Sequence, residues 1–175
     1  MLAEVKQLSV KEFRELEFDE NDNAYYELIN GIIIKKSTPT PQHQKKSMSL
    51  SLQLGSFIKL KKSGELFAAP VDLFLDDHNA VQPDLVFVAN GNQRIVTTDG
   101  IMGIPDLIVE IISPSSVMRD RVDKKNLYEK LNEDIEIYTI LNGRYELLSG
   151  VTMLEGSLKS NILDGISIDL KELFE

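Results

Sequence analysis

The spacing of hydrophobic residues along the chain predicts a mixture of helices and strands. Residues 9–17 repeat at helical spacing, and Ser9 with Glu12 three positions later forms a capping box of the kind that begins helices. The residues of this helix that are expected to face inward are Val10, Phe13 and Leu16. Further on, Asn30-Gly31 separates two strand-like runs, and this dipeptide favours the positive φ angles of a tight hairpin turn.

The next segment, residues 41–62, fits two different periods. Some of its apolar positions alternate as in a strand, whereas a second set recurs like one face of a helix: Leu50, Leu54, Phe57 and Ile58. A run of this length without a turn residue is too long for a typical strand. Thr40 as N-cap, Pro41 at the first helical position and Gly64 after the end all favour a helix.

The rest of the chain predicts strands interrupted by a helix. Three strand-like segments come first: 66–75, 81–88 and 106–112. The polar residues 76–79 make the turn between the first two segments. Residues 116–131 predict a helix, and Asn142-Gly143 marks a second hairpin before a tail with a strand and a short helix. This order predicts an α/β (α+β) fold in one domain, 1–175, with a mixed central β-sheet flanked by helices.

Composition limits the classes of protein to which the chain can belong. Its 175 residues are 42% hydrophobic and 27% charged, which is ordinary for one soluble globular domain. The absence of cysteine excludes disulfides and thiolate metal sites, and fits a reducing cytoplasm. No apolar run approaches the roughly 20 residues of a membrane span, and the N-terminus lacks the apolar core of a signal peptide. We therefore expect a cytoplasmic protein with no membrane partner.

Charge is distributed unevenly along the chain. The net charge of −9 argues, taken alone, against nucleic acid as a partner. Residues 28–64, however, contain no acidic residue and carry seven lysines, so this basic window holds +7 and the rest of the chain −16. Such segregation can place a basic face on an acidic protein, but a solvated lysine face without a partner explains the pattern equally well.

Single acids stand inside two strongly apolar segments. Glu110 interrupts DLIVEII, and Asp84 follows Pro83 near the start of VQPDLVFV. A carboxylate in a buried strand needs a cation, a metal ion or a proton, although a strand edge that reaches water would also satisfy it. If the two strands are neighbours, the two carboxylates converge and make an oxygen-rich site suited to Mg²⁺ or Mn²⁺. Asp72, in APVDLFL, is a candidate third acid.

A basic group is available on the predicted helix 116–131. Asp120, Lys124 and Tyr128 are spaced i, i+4, i+8, so they share one side of that helix. In this position Lys124 could bind a phosphate or act on an attacking water molecule. An ordinary surface ion pair between Asp120 and Lys124 explains the spacing more simply.

Six segments together resemble a known family: YELINGIII, TPTPQHQ, APVDLFL, VQPDLVFV, PDLIVEIISPSS and RDRVDKKNLYE. In this order, over residues 25–130, they are similar to the Uma-two family of restriction endonucleases. The most specific part is PDLIVEIISPSS followed by RD and K-x-x-x-Y. The resemblance implies a restriction-endonuclease-like PD-(D/E)XK core. It also implies an endonuclease that hydrolyses phosphodiester bonds with Mg²⁺ or Mn²⁺, and DNA is the expected substrate.

The resemblance also assigns roles to the acids and to the lysine. It implies that Asp84 and Glu110 are catalytic residues that hold the metal ion, and Asp72 matches the acid of the preceding strand. The usual lysine of the motif would stand at Ile112. The family looks like a variant in which that lysine has moved to the following helix, where Lys124 takes its place.

Further site residues follow from the resemblance and from the basic window. Glu27 matches the acid of the family's YELIDG-like segment, and as a catalytic residue it is expected to hold a water molecule or a second metal ion. The residues expected to bind nucleic acid are the family's H-Q pair and two lysines of the window: His43, Gln44, Lys45 and Lys46. Asp120 and Tyr128 are expected to support the lysine helix.

The sequence leaves two other classes of function open. A nuclease fold can lose its chemistry, so the chain could be a catalytically inactive module that binds nucleic acid. The net charge of −9 favours instead a protein-interaction domain. Cutting both strands of a duplex needs two sites, which makes a homodimer a reasonable expectation. The family's Trp-containing segment after the lysine helix is replaced here by NEDIEIYTIL, so the resemblance does not extend to the late hairpin or to a dimer contact.

Overall fold

The computed structural model describes residues 7–18, 24–36, 38–111, 124, 126–127, 136–141, 144–149, 157–158, 160 and 162–169. Its helices are α1 (Val10–Arg14) and α2 (Pro41–Lys61), with a 3-10 helix at Asn90–Ile95. Its strands are β1 (Tyr25–Ile29), β2 (Ile32–Lys36), β3 (Gly64–Ala68), β4 (Leu73–Asp76), β5 (Asn79–Val81), β6 (Leu85–Ala89), β7 (Val96–Thr97), β8 (Gly100–Met102), β9 (Leu107–Val109), β10 (Glu136–Leu141), β11 (Arg144–Ser149), β12 (Ser157–Leu158) and β13 (Ile168–Asp169).

Eleven of these strands form two mixed sheets, and β12 and β13 pair antiparallel as a separate two-stranded sheet. The six-stranded sheet has the order β2-β1-β5-β4-β8-β7, and the five-stranded sheet has the order β11-β10-β9-β6-β3. Each contains one parallel pair, β4 with β8 and β9 with β10, among antiparallel pairs of the described strands. The predicted α/β class with a mixed sheet and helices is therefore confirmed.

The five-stranded sheet is the middle layer of the molecule. Side chains alternate along β6, so Leu85 and Phe87 pack against α2 while Val86 and Val88 pack against the six-stranded sheet. The α2 side of the core contains Leu50, Leu54 and Ile58. The side between the two sheets contains Ile29, Leu73, Val81, Ile101 and Ile108. Burial on both faces explains why β6 and β9 are almost wholly apolar.

Local signals at the predicted helices and hairpins are confirmed, with two corrections. Both halves of the Ser9–Glu12 capping box form, but α1 ends at Arg14, and Leu16 is exposed beyond it rather than inward. Asn30 and Gly31 have φ angles of 50° and 72° between β1 and β2. Thr40 and Pro41 begin α2, but its left-handed end is Lys62, with φ 52°; Gly64 starts β3 instead.

Two strand-like segments prove to be two strands each. Segment 66–75 divides into β3 and β4, which lie in different sheets on either side of Pro70. Segment 81–88 divides in the same way between β5 and β6, so Asp84 lies where the chain crosses from one sheet to the other. An apolar run is the same whether its strand belongs to one sheet or the next, so hydrophobic spacing could not locate these crossings.

The later elements are described in part. Lys124 and residues 126–127 are helical, as predicted, while Asp120 and Tyr128 lie outside the described residues. Strands β10 and β11 pair antiparallel on either side of Asn142-Gly143, so the second predicted hairpin is confirmed, although its turn lies outside the described residues. Among the described helices, none is both long and apolar enough for a membrane span.

Candidate active site

Asp84 and Glu110 lie at the same end of two neighbouring strands. β6 and β9 pair antiparallel with Leu85 opposite Val109, and Asp84 directly precedes β6 while Glu110 directly follows β9. The two strands are therefore neighbours, which is what the predicted convergence of Asp84 and Glu110 required. The backbone N–H of Ile111 donates to Asp84 Oδ2 at 2.6 Å, which fixes the carboxylate beside the end of β9.

Glu27 reaches the same place from the other sheet. It lies in β1 and its side chain is completely buried. Its Oε1 accepts the backbone N–H of Gln82 at 2.9 Å, and Gln82 stands two residues before Asp84 in the crossing between sheets. The second oxygen, Oε2, is buried without a hydrogen-bond partner in the part of the chain that the structure describes. The site therefore lies between the sheets, where β1 meets the ends of β6 and β9.

Lys124 joins the two buried acids. Its ammonium Nζ lies 2.7 Å from Glu27 Oε1 and 2.7 Å from Glu110 Oε1, and its side chain is only 4% exposed. Burying charges costs several kcal/mol per ion unless close pairing offsets the lost hydration, and these short contacts supply that pairing. A surface ion pair is therefore not the environment of Lys124. The hydrophobic residue one turn later, Leu127, anchors this helix in the core between the sheets.

His43 approaches Asp84 from the first turn of α2. Thr40, the N-cap, accepts the backbone N–H of His43, and the imidazole Nε2 lies 3.3 Å from Asp84 Oδ1. The pKa of His43 is raised from its ordinary value of 6.5, mainly by the hydrogen bond to Asp84. Burial lowers the pKa, while the charge of Asp84, the backbone of Ile111 and the charge of Glu110 raise it further. The residue expected to bind nucleic acid thus contacts a predicted metal ligand directly.

Residues 10–170 match the Uma2 family, whose description is "putative restriction endonuclease". The chain belongs to the Uma2 family. This confirms the resemblance that the sequence motifs carry. A comparison with curated proteins finds no match.

The fold of this Uma2 protein is shared with a solved structure. The crystal structure of a putative nuclease belonging to DUF820 from Anabaena variabilis ATCC 29413 superposes with a TM-score of 0.69. The likeness covers 95% of this chain and 97% of that one, at 18% sequence identity. At this identity the match shows that the two chains share a fold.

The other predicted site residues of the Uma2 chain lie around this centre. Asp72 is exposed, and its carboxylate accepts the side-chain amide of Gln82 at 2.7 Å, so it lies on the Gln82 side of the site. Gln44 and Lys45 are exposed on the first turns of α2 next to His43, and Lys46 is half-buried there. The structure thus joins Glu27, Glu110 and Lys124, joins His43 to Asp84, and leaves Asp72 at the edge.

Lys36 belongs to the site although no sequence motif marks it. Its Nζ lies 3.6 Å from Glu27 Oε1. The two-residue turn at Asn30-Gly31 sets Glu27 opposite Ile34 and Tyr25 opposite Lys36, which places Lys36 diagonally next to Glu27 on one face of the hairpin. That register follows from the turn type, so the hairpin signal in the sequence could have identified Lys36.

The donor atoms at this centre suit a hard divalent cation. Mg²⁺ is usually held by one or two carboxylates, with water and substrate phosphate as the remaining ligands. Asp84 and Glu110 provide two such carboxylates, and Glu27 Oε2 is buried without a hydrogen-bond partner among the described residues. Among the described residues, no three acids or histidines form a group that could hold a metal ion by themselves. An ion held by Asp84 and Glu110 would therefore need ligands from water or substrate as well.

Proposed function

We propose that this Uma2 family member is a metal-dependent endonuclease that hydrolyses nucleic-acid phosphodiester bonds, with DNA as the expected substrate. The observation that carries the proposal is the double contact of Lys124 with Glu27 and Glu110, which are 97 and 14 residues away in the chain. Three ionisable groups in one buried place are costly for stability and are concentrated at functional sites. Family membership and the fold shared with a putative nuclease also support this proposal.

The acids and the lysine have separate roles in this proposal. Asp84 and Glu110 would hold Mg²⁺ or Mn²⁺, whose chemistry is to lower the pKa of an attacking water and to neutralise charge on the phosphate. Lys124 would donate to a phosphate oxygen as negative charge develops there, or orient the water. Glu27 would hold the Lys124 ammonium and a water molecule or second ion. Asp72, the predicted third metal ligand, would contact the metal ion through a water molecule at the edge of the site.

The nucleic-acid path would begin at the first turns of α2. Gln44, Lys45 and Lys46 follow His43 there, and lysines that contact phosphates supply affinity without reading sequence. Asp120 and Tyr128 remain candidates for supporting the lysine helix. A homodimer would place two such sites on the two strands of a duplex, and the absence of cysteine suits a cytoplasmic location.

The test is cleavage of duplex DNA, single-stranded DNA and RNA in EDTA, Mg²⁺ and Mn²⁺. We expect cleavage only with a divalent ion. Asp84→Asn and Glu110→Gln should each lower the rate about a hundredfold or more, the scale of a lost electrostatic contact in an active site. Asp77→Asn, the same change at an exposed turn residue, is the matched control and should leave the rate unchanged. Full cleavage by Asp84→Asn would overturn the proposal.

A catalytically inactive module of the same fold is the second candidate. A nuclease fold can lose its chemistry and still bind nucleic acid, because a fold does not fix a function. Titration calorimetry with Mn²⁺ separates the two candidates. Binding that disappears in Glu110→Gln supports the endonuclease, whereas no binding by the wild type supports the module. A gel shift that weakens with salt and is lost on changing Lys45 and Lys46 would exclude a pure protein-interaction domain.

A further inference from the structure

We propose that Lys36 is a positioning residue that binds the substrate phosphate at the solvent side of the site; this inference rests on the proposed nuclease function. Its ammonium lies 3.6 Å from Glu27 Oε1, the same oxygen that Lys124 contacts at 2.7 Å. Glu27 thus contacts two lysines that come from distant parts of the chain. At 3.6 Å the Lys36 contact is longer than a hydrogen bond, whereas the Lys124 contact at 2.7 Å is a short one.

Exposure distinguishes Lys36 from the other charged groups at this centre. Its side chain is 25% exposed, against 15% for His43 and Asp84. Glu110 is 10% exposed, Lys124 4% and Glu27 not at all. Among these described side chains, Lys36 is therefore the cation that a phosphate arriving from solvent meets first, while Lys124 lies deeper against the acids.

The charge of Lys36 affects how tightly the centre binds a metal ion and how tightly it binds a phosphate. Glu27, Asp84 and Glu110 are three negative charges, and Lys36 and Lys124 are two positive ones. These five described side chains, counted without His43, carry one net negative charge, and a divalent ion would turn it into one net positive charge, which matches one phosphodiester. Without Lys36 the ion would only reach neutrality. Lys36 therefore attracts the phosphate and, by like-charge repulsion, weakens binding of the ion.

The experiment uses Lys36→Met, which keeps the length of the side chain and removes its charge. Affinity for Mn²⁺ is measured by titration calorimetry without nucleic acid, and affinity for a fluorescein-labelled DNA duplex by anisotropy in EDTA at several salt concentrations. We expect Mn²⁺ to bind about three- to tenfold more tightly. The duplex should bind about fivefold more weakly, with a salt dependence lower by about one unit of slope, because one phosphate contact is lost.

Opposite changes in the two affinities separate positioning from a structural role, since a damaged site would bind both ligands less well. Lys36→Arg should restore duplex binding and its salt slope. Lys11→Met removes the same charge from an exposed position of α1 and should change neither affinity by more than about twofold. Equal or weaker Mn²⁺ binding by Lys36→Met, or duplex binding equal to wild type, would overturn the inference.

These experiments distinguish failure of the inference about Lys36 from failure of the proposed nuclease function. If Asp84→Asn and Glu110→Gln abolish cleavage while Lys36→Met binds both ligands like the wild type, only the role of Lys36 is wrong. If Asp84→Asn cleaves fully, the nuclease proposal is wrong and the inference about Lys36 falls with it.

Discussion

Lys124 is the residue on which the electrostatic balance of the site depends. Its ammonium is the shared partner of two carboxylates that come from different sheets. Ion pairs of this kind are not a net source of stability when compared with apolar packing, but removing one partner exposes the others to the full cost of burial. The same residue therefore matters for the folded state and for the proposed chemistry.

Lys124→Met should lower the free energy of unfolding by about 3–5 kcal/mol, because Glu27 and Glu110 lose their common ammonium partner. Urea denaturation monitored by circular dichroism measures this change. The double variant Glu27→Gln, Lys124→Met should recover part of the loss, since one buried charge is removed together with its partner. A cost below about 1 kcal/mol for Lys124→Met would contradict its buried contacts with Glu27 and Glu110.

His43 makes metal-free stability depend on pH. Its folded pKa is raised, mainly by the hydrogen bond to Asp84, so its contribution is fully present below the ordinary value of 6.5 and is lost as pH rises through the folded pKa. In EDTA, the stability difference between wild type and His43→Gln should therefore be larger at pH 6 than at pH 9. In an Asp84→Asn background this pH dependence should shrink, and an unchanged dependence there would assign it to another group.

At the scale of elements, close approach of backbones determines where glycine is required. Gly64 pairs with Ala89 across β3 and β6, and an added Cβ would lie 2.8 Å from Ala89 Cα and would also collide with the Val88 carbonyl. Gly55, inside α2, has room for a methyl group, since an added Cβ would meet Leu66 Cδ2 at 3.8 Å, an ordinary van der Waals distance. The two glycines therefore differ in what a methyl group would do.

Gly64→Ala should destabilise the protein by about 1–3 kcal/mol, because the backbones of β3 and β6 must move apart. The same substitution at Gly55 should stabilise it by about 0.5–1 kcal/mol, because alanine loses less conformational entropy than glycine in a helix. Thermal and urea unfolding of the two variants side by side measure both effects. Equal effects at the two positions would show that the contact between β3 and β6 is not as close as described.

At the scale of the whole molecule, an acidic protein carries its basic window on the elements that surround the site. The hairpin β1–β2 contributes Lys36, and α2 contributes His43, Lys45 and Lys46 at the end nearest the acids. Lys59 and Lys61 at the other end of α2 follow Lys45 and Lys46 by four turns or so of helix, which is roughly 20–24 Å along its axis. We therefore expect nucleic acid to follow the first turns of α2 rather than its whole length.

The double change of Lys45 and Lys46 to Ala should weaken DNA binding by a similar factor for all sequences and lower the salt slope by about two units, one for each phosphate contact. Changing Lys59 and Lys61 to Ala removes the same charge from the far end of α2, where both are exposed. This control should reduce the slope by less than half as much. Anisotropy titrations over a range of salt concentrations decide the point, and equal effects at both ends would contradict the proposed path.

The sequence by itself determined the features that depend on neighbours close along the chain. The Ser9 capping box, the Asn30-Gly31 turn and the Thr40 cap are such cases, because each involves residues within about four positions of one another. Motifs were enough to predict the family and the mixed α/β class, and both predictions are confirmed. Asp84 and Glu110 stood out because an acid inside an apolar strand is rare without a partner.

Only the tertiary structure decided which of these parts meet. Hydrophobic spacing did not show that the chain crosses between sheets at Pro70 and at Asp84, because both sheets bury the same kind of side chain. The meeting of Lys124 with Glu27, and of His43 with Asp84, depends on strand register and helix packing between residues far apart in the chain. Such pairings are fixed by the total burial of the core rather than by any local signal, which is why the spacing of Lys124 alone suggested a surface ion pair.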